Sequence, residues 1–251
     1  NESIGNYSWD NKNKTTGAET VNGKNEWTDA RLNYLLNPGH ESETIGGSLY
    51  WNRGAGNCYD GQNNATKACN FTTTGLTEKA KAMIGDAKWY LGGSSTYMDV
   101  TAPMFYTRER GTTVFSGRNT NWTGKVGLMY PSDYGYATVG GSTANKLDCR
   151  NKSLADWISS LYNDCKNNDW LFTSQSSFVN EVEWLLSPYS SDSSYASYLS
   201  SVGYVGLIYS EIISGYVDAD LFSVRPTFYL DSSILKIVGG TGTSTNPYHI
   251  G

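Results

Sequence analysis

Charged residues are scarce in this chain of 251 residues. Asp, Glu, Lys and Arg make up 17% of it, whereas a typical globular domain has about 25%. The net charge is −5 at pH 7 and the basic residues form no cluster. Nucleic acids and anionic membranes both require concentrated positive charge, so neither is an expected partner. No apolar run approaches the length of about 20 residues that spans a bilayer, and we expect no membrane contact by this segment.

The motifs of common enzymes are missing as well. The chain has no Gly-x-Ser-x-Gly, no His-Glu-x-x-His and no glycine-rich phosphate loop before a helix. Its two histidines, His40 and His249, lie where no sheltered partner is expected. Glu181 and Glu183 would share one face of a strand, but with 24 acidic residues such spacing arises by chance. The sequence therefore predicts no catalytic residue and no cofactor.

A calcium site is a possible alternative to a chain without metal. Asp218 and Asp220, close to Asp231, could supply oxygen ligands. A polar turn between strands is the favoured interpretation, so no metal is expected.

Aromatic residues and cysteines are what the chain does contain. Trp, Tyr and Phe make up 14% of it, and Ser, Thr, Asn and Gly provide most of the polarity, as in secreted β-rich proteins. The four cysteines are Cys58, Cys69, Cys149 and Cys165, with no Cys-x-x-Cys pair. Two disulfides are expected. Cys58 and Cys69 flank a polar loop and form the favoured pair, which leaves Cys149 with Cys165 by elimination; four reduced thiols are the alternative.

Residues 1–25 are polar and predict a mobile lead-in, and residues 26–251 predict a single domain, since no repeat or linker divides them. Apolar spacing predicts helices over residues 26–36, capped by Asn25, and over residues 77–91. A third helix is expected from Ser153 onward, with Leu154, Trp157, Ile158 and Leu161 as its buried stripe.

Short β-type runs occupy residues 126–130, 170–172, 183–186, 204–209, 224–230 and 234–238. Helices concentrate early in the chain and strands late. This order predicts an α+β fold in which helices pack on a twisted antiparallel sheet.

Two motifs near the end of the chain carry a family resemblance. Glu-Trp-Leu-Leu-Ser-Pro at residues 183–188 precedes Ser-Val-Arg-Pro-Thr-Phe-Tyr-Leu at residues 223–230. This order resembles a bacterial domain family whose fold is akin to C-type lectins and to the formylglycine-generating enzyme. Segments 109–117, 127–138 and 168–171 are similar to ectodomains of pilin-like surface proteins from gut Firmicutes.

The resemblance is best over residues 100–251 and implies a C-type-lectin-like fold. It places Trp184 and Leu186, buried, on a central strand, with Arg225 and Pro226 on a neighbouring closing strand. Arg225 would be a structural hydrogen-bond donor. We expect residues 224–230 to lie against residues 183–186 or 204–209. The cysteines of the oxidase branch and the sugar-binding tripeptides of calcium-dependent lectins are missing, so neither activity is implied.

Residues 187–220 combine many tyrosines with serine and glycine, the composition of recognition surfaces. These tyrosines are Tyr189, Tyr195, Tyr198, Tyr204, Tyr209 and Tyr216. We expect Tyr189, Tyr195 and Tyr198 to be exposed anchors for a ligand, with Tyr204 and Tyr216 beside them. Cross-strand pairing of the rings is the alternative.

The sequence thus favours a non-catalytic extracellular or cell-surface module for adhesion or ligand recognition, with a protein or glycan as its partner. One alternative is the ectodomain of a pilin-type filament subunit that lacks its N-terminal helix and contacts other subunits. A glycan hydrolase is the other alternative.

Overall fold

The computed structural model describes residues 3–10, 23–43, 46–56, 69–173, 182–206, 222–234, 236–241, 245–246 and 248–250. Its helices are α1 Arg31–Leu36, α2 Leu49–Asn52, α3 Phe71–Thr74, α4 Glu78–Met83, α5 Ala102–Glu109, α6 Pro131–Ala137, α7 Lys146–Arg150, α8 Asn163–Asn167 and α9 Trp170–Thr173. Short 3-10 helices cover Trp27–Asp29, Leu154–Ile158, Ser160–Tyr162 and Ser232–Ile234.

The strands are β1 Asn6–Tyr7, β2 Ala55–Gly56, β3 Cys69–Asn70, β4 Ala87–Tyr90, β5 Asn121–Gly124, β6 Val126–Leu128, β7 Glu183–Pro188, β8 Ala196–Leu199, β9 Val205–Gly206, β10 Phe222–Ser223, β11 Pro226–Phe228, β12 Ile237–Gly239 and β13 His249–Ile250. The predicted α+β class is confirmed. Within these residues, no helix is both long enough and apolar enough to cross a membrane.

The main sheet has five strands in the order β1-β10-β7-β8-β9. Only the β10–β7 contact is parallel, with Ser223 opposite Glu183, and the other neighbours are antiparallel. The remaining strands form two-stranded ladders, β2–β3, β4–β5, β6–β11 and β12–β13.

Strand β7 separates two hydrophobic clusters. Trp184 and Leu186 point into one cluster and Leu185 into the other, and all three are fully buried. Successive side chains of a strand point to opposite faces, so a strand with layers on both sides is apolar throughout. The Trp184 indole donates to the Tyr7 carbonyl at 2.9 Å. Trp184 and Leu186 are thus buried on the central strand of the main sheet.

The predicted mobile lead-in is wrong for the described part of residues 1–25. Strand β1 pairs with β10, and the side chains of Tyr7 and Trp9 are buried. Further along, the Asn25 amide donates to the carbonyls of Tyr189, Asp192 and Tyr195 at 2.8–2.9 Å. The local sequence does not predict these contacts, because the partner residues lie more than 160 positions away.

The second predicted helix ends early. Helix α4 stops at Met83, and residues 87–90 form strand β4, which pairs with β5. Pairing with the other end of the chain interrupts the helix, because Gly85 N donates to the Tyr229 carbonyl at 3.1 Å and Ile84 bridges to Leu230. Tertiary pairing here overrides local helical spacing.

The third predicted helix is a 3-10 turn. Ser153 does cap it, accepting a hydrogen bond from Ala155 N, and Leu154 and Trp157 are buried. Ile158 and Leu161 were expected to be buried but are 54% and 70% exposed. A 3-10 helix has three residues per turn instead of 3.6, so Leu154 and Trp157 share one face and Ile158 lies on another. Leu161 belongs to the next 3-10 helix, Ser160–Tyr162.

Residues 170–172 were predicted as a strand and form helix α9. The Asp169 carboxylate caps this helix by accepting hydrogen bonds from Leu171 N at 2.9 Å and Phe172 N at 3.0 Å. The cap residue, rather than the aromatic run that follows it, determines the local structure.

A disulfide joins Cys149 to Cys165, as predicted. It links helix α7 to helix α8, and not a helix to a strand as expected. Cys69 is also disulfide-bonded, while Cys58, its predicted partner, lies outside the described residues.

The closing strand has a different neighbour from the one expected. Strand β11 pairs with β6, Pro226 opposite Leu128 and Phe228 opposite Val126. Of the residues before it, Phe222 and Ser223 form β10 beside β7. The chain therefore changes partner at residues 224–225, where Arg225 lies between the two ladders.

Candidate functional site: an aromatic cleft

A cleft of about 390 Å³ opens between helices α6 and α9 and strand β11. Its volume falls in the range of about 300–1,000 Å³ that is typical of ligand pockets. Most of its wall is apolar or aromatic, with one acidic and one basic residue. The lining consists of Met129, Asp133, Tyr136, Ala137, Trp170, Leu171, Arg225, Thr227 and Tyr229.

Secondary-structure periodicity brings these side chains together. Asp133, Tyr136 and Ala137 are three and four positions apart on helix α6 and share one of its faces. Arg225, Thr227 and Tyr229 alternate along β11 and its flanks, so they point to one side of the strand. Trp170 and Leu171 begin helix α9.

Aromatic rings dominate the mouth of the cleft. Trp170 is 58% exposed and Tyr229 is 48% exposed. The Tyr229 ring rests on the buried Trp89 ring with centroids 5.1 Å apart, and Tyr136 meets Tyr106 edge-on at 6.2 Å. These rings combine a fixed position with a solvent-facing surface.

Arg225 is held within the protein. Its Nε donates to Glu183 Oε1 at 3.0 Å, its Nη2 donates to Glu183 Oε2, and its Nη1 donates to the Leu171 carbonyl at 2.9 Å. Arg225 thus donates hydrogen bonds to Glu183 and Leu171 within the protein. It ties strand β7 to helix α9, and its charge is balanced by Glu183.

Asp133 is the acidic group of the cleft. One oxygen, Oδ2, accepts a hydrogen bond from Tyr130 N at 3.0 Å, which caps helix α6. Burial raises the pKa of Asp133, while that hydrogen bond and the charge of Arg110 lower it. Within the described part of the chain, no cation lies within ion-pair distance of this carboxylate.

A buried carboxyl group supports the base of helix α6. Glu109 is 1% exposed and accepts hydrogen bonds from Ser132 N at 2.9 Å and from Ser132 Oγ. Arg110 Nη1 lies 3.2 Å from its Oε2. Burial raises the pKa of Glu109 to about 7, against the opposing effects of Ser132 and Arg110.

A second buried carboxyl group, that of Asp169, caps the start of helix α9. Burial raises the pKa of this capping carboxyl to about 7, while the N–H groups of Phe172 and Leu171 and the charge of Arg225 lower it. Both helices that form the cleft thus rest on carboxyl groups that titrate near neutral pH.

The tyrosines predicted to bind a ligand lie elsewhere. Tyr189 and Tyr195 meet edge-on at 6.1 Å, and Tyr198 and Tyr204 meet edge-on at 6.3 Å. All four are half-buried, so Tyr189, Tyr195 and Tyr198 are not the exposed rings that were expected. The four rings pair with one another across neighbouring segments, which was the alternative interpretation. Tyr209 and Tyr216 lie outside the described residues.

Sequence reasoning did not single out Asp133, Tyr136, Trp170 or Tyr229. Segments 127–138 and 168–171 were noted only for their resemblance to surface proteins. The i, i+3, i+4 spacing of Asp133, Tyr136 and Ala137 was a usable signal for one wall. Nothing in the sequence shows that this wall faces residues 225–229.

The residues considered for the two disfavoured alternatives, a hydrolase and a calcium site, are only partly described. Glu183 is bound to Arg225, and Glu181 lies outside the described residues. Asp218 and Asp220 lie outside them too, and Asp231 accepts hydrogen bonds from Ser233 N and Oγ at 2.8 and 2.7 Å, as in a polar turn. The residues that the structure describes contain no cluster of three or more possible metal ligands.

No protein-family model, curated protein or solved structure matches this chain. The family resemblance is therefore carried by the sequence motifs alone.

Proposed function

We propose that this protein is a non-catalytic recognition module that acts outside the cell and binds a ligand in the aromatic cleft. The observation that carries the proposal is the grouping of Tyr136, Trp170 and Tyr229 around one cavity. Exposed aromatic rings in a concave site provide a large contact area at little cost in side-chain entropy.

The scaffold supports this role. The rings lie on elements that are fixed from below by the capping carboxyl groups of Glu109 and Asp169 and by the Arg225–Glu183 pair. A preorganised site loses less conformational freedom when a ligand binds.

The location outside the cell rests on the Cys149–Cys165 disulfide and on the low charge of the chain. Disulfides persist in oxidising compartments and are rare in the cytosol. The C-type-lectin-like fold belongs to the same proposal and is supported by the central position of Trp184 and by the Val-Arg-Pro motif that follows strand β10.

Recognition fits the cleft better than hydrolysis. Of its described lining residues, Asp133 is the only carboxylic acid, and none is a histidine, cysteine or serine. A glycosidase commonly needs two carboxyl groups across the bond that it cleaves.

The test is a binding screen of the labelled protein on glycan and protein arrays. Every positive is repeated with Trp170→Ala and Tyr229→Ala, which remove half-exposed rings and should leave the melting temperature nearly unchanged. We expect binding to fall by about tenfold or more, as for aromatic anchors of interfaces. Leu161→Ala is the matched control, since Leu161 is 70% exposed and lies outside the lining of the cleft.

Unchanged binding by both cleft variants would contradict the proposal. Tyr195→Ala tests the other predicted surface in the same screen. A loss with Tyr195→Ala alone would place the binding site on the tyrosine-rich segment.

A further inference from the structure

We infer that the cleft accommodates a basic side chain, lysine or arginine, presented by a protein partner. This inference rests on the proposed recognition function and adds the chemical class of the ligand to it. Three properties of the cleft carry it: an apolar wall, a carboxylate that forms no ion pair among the described residues, and aromatic rings at the mouth.

The wall suits the stem of a long basic side chain. Met129, Ala137 and Leu171 contribute apolar surface. Lysine and arginine bury their methylene groups on such surface while their charged end reaches a polar group. A neutral aliphatic side chain would fill the same wall but would leave the acidic group without a partner.

The acidic group is Asp133. The hydrogen bonds of the described residues engage only its Oδ2, through Tyr130 N. The basic residue of the described lining, Arg225, is already bound to Glu183 and to the Leu171 carbonyl. Arg110, whose charge also acts on Asp133, is paired with Glu109. A partly buried carboxylate in this position gains from an incoming cation, because the charge–charge attraction is weakly screened there.

The rings around the cleft already bind the protein's own guanidinium groups. Arg110 lies over the Tyr106 ring, with its Cζ 3.6 Å from the centroid, and Arg150 lies 4.9 Å from the centroid of Tyr136. Trp170 and Tyr229 offer exposed ring surface at the same mouth. Cations are attracted to the faces of such rings, most strongly to tryptophan.

A protein partner fits this surface better than a glycan does. The neutral hydroxyl groups of most sugars provide no charge to match Asp133. The surrounding Trp170, Tyr106 and Arg110 belong to the residue types that are enriched at protein interface centres. The net charge of −5 favours the approach of a basic partner.

The experiment titrates the protein with single-side-chain probes. These are the methyl esters of Nα-acetyl-lysine, Nα-acetyl-arginine and, as the neutral match, Nα-acetyl-norleucine. Binding is followed by NMR at the Trp170 indole N–H, whose signal is identified by its loss in Trp170→Phe. We expect saturable shifts, with the two basic probes bound about tenfold more tightly than norleucine, a ratio typical of a cation beside rings and a carboxylate.

Asp133→Asn should abolish most of that preference. The asparagine oxygen can still accept the hydrogen bond from Tyr130 N, so the cap of helix α6 is kept while the charge is removed. Glu78→Gln is the matched control, because the Glu78 side chain is 86% exposed and lies on helix α4, outside the cleft lining. It should leave the ratio unchanged.

The outcomes separate the two proposals. If the wild-type protein binds the norleucine and lysine probes equally, the inference of a basic side chain is overturned, but the proposal that the cleft binds a ligand is not. The same holds if no probe moves the Trp170 signal while array ligands still require Trp170. Array binding that is indifferent to Trp170 and Tyr229 overturns the proposed function itself. If Asp133→Asn does not fold, the ratio of the affinities for the basic probes and for norleucine in the wild-type protein still tests the inference.

Discussion

Glu109 combines nearly complete burial with a charge that can be lost near neutral pH. Its carboxyl group accepts two hydrogen bonds from Ser132 and lies beside Arg110, yet burial still raises its pKa to about 7. The pKa is therefore higher in the folded chain than the usual value of 4.5 expected in the unfolded chain. A raised pKa means that the folded state holds its proton more tightly, so protonation favours folding.

We predict that stability falls as the pH rises from about 4.5 to above 7, and that Glu109→Gln flattens this fall. The contribution of Glu109 is complete below its unfolded pKa and is lost as the pH rises through about 7. The loss is at most about 3 kcal/mol, since one pKa unit corresponds to about 1.4 kcal/mol. Glutamine keeps an acceptor for Ser132 N and offers a donor to Ser132 Oγ.

Urea unfolding at pH 5, 6, 7 and 8 measures the effect. Some slope should remain in Glu109→Gln, because the pKa of Asp169 is raised in the same direction. Glu78→Gln, at an exposed position, should follow the wild-type slope. Parallel slopes for Glu109→Gln and the wild type would show that Glu109 does not titrate in this range.

At the scale of elements, Arg225 joins three parts of the fold. It sits between β10 and β11, binds Glu183 on strand β7 and reaches the first turn of helix α9 through the Leu171 carbonyl. The side chains of Arg225 and Glu183 are 12% and 4% exposed. An ion pair this buried costs desolvation when it forms, and removing one partner leaves a buried charge uncompensated.

We predict that Glu183→Gln lowers the free energy of unfolding by about 3–5 kcal/mol. The double variant Glu183→Leu with Arg225→Met should lose less than the single variant, because an apolar pair leaves no buried charge. Guanidinium unfolding of the three proteins measures both differences. A double variant that is less stable than Glu183→Gln would mean that the hydrogen bond to Leu171 outweighs the ion pair.

Sequence patterns predicted elements well where local interactions form them. The Ser153 cap follows from a short local pattern. The burial of Trp184 and Leu186 was implied by the family resemblance, and the Cys149–Cys165 bridge followed by elimination. The patterns failed where a distant segment competes, as at Ile84, which bridges to Leu230 instead of continuing a helix.

The candidate site escaped prediction for the same reason. In the sequence, Asp133 and Tyr136 have the spacing of a helical pair, and Arg225 belongs to a motif. The cleft, however, forms only where these segments meet Trp170 in the folded chain. Such a meeting depends on tertiary packing of three separate stretches of chain. One sequence carries no direct signal for it.

At the scale of the whole molecule, residues 3–10 complete the core. Trp9 is fully buried, packs against Trp27 with ring centroids 5.2 Å apart, and donates its indole N–H to the Leu185 carbonyl at 3.3 Å. It therefore contacts both the early helical region and the central strand.

We predict that Trp9→Ala lowers the free energy of unfolding by about 3–5 kcal/mol, the range for truncating a large buried ring. Trp170→Ala removes the same atoms from a side chain that is 58% exposed, and it should cost less than about 1 kcal/mol. Thermal and urea unfolding of the two variants provide the comparison. Equal losses would contradict the assignment of residues 3–10 to the core.

The pairing of β1 with β10 has a kinetic consequence. Val224 N donates to Ser3 Oγ, 221 positions away in the sequence, so one edge of the main sheet closes only when both distant segments are available. Contacts between remote segments slow folding, because the loop must close before they form. During synthesis, Tyr7 and Trp9 are made long before Phe222 and Ser223, the strand that completes this edge of the sheet. We therefore expect a long-lived intermediate in which Tyr7 and Trp9 are open to solvent, and hence to aggregation, until Phe222 and Ser223 have been made.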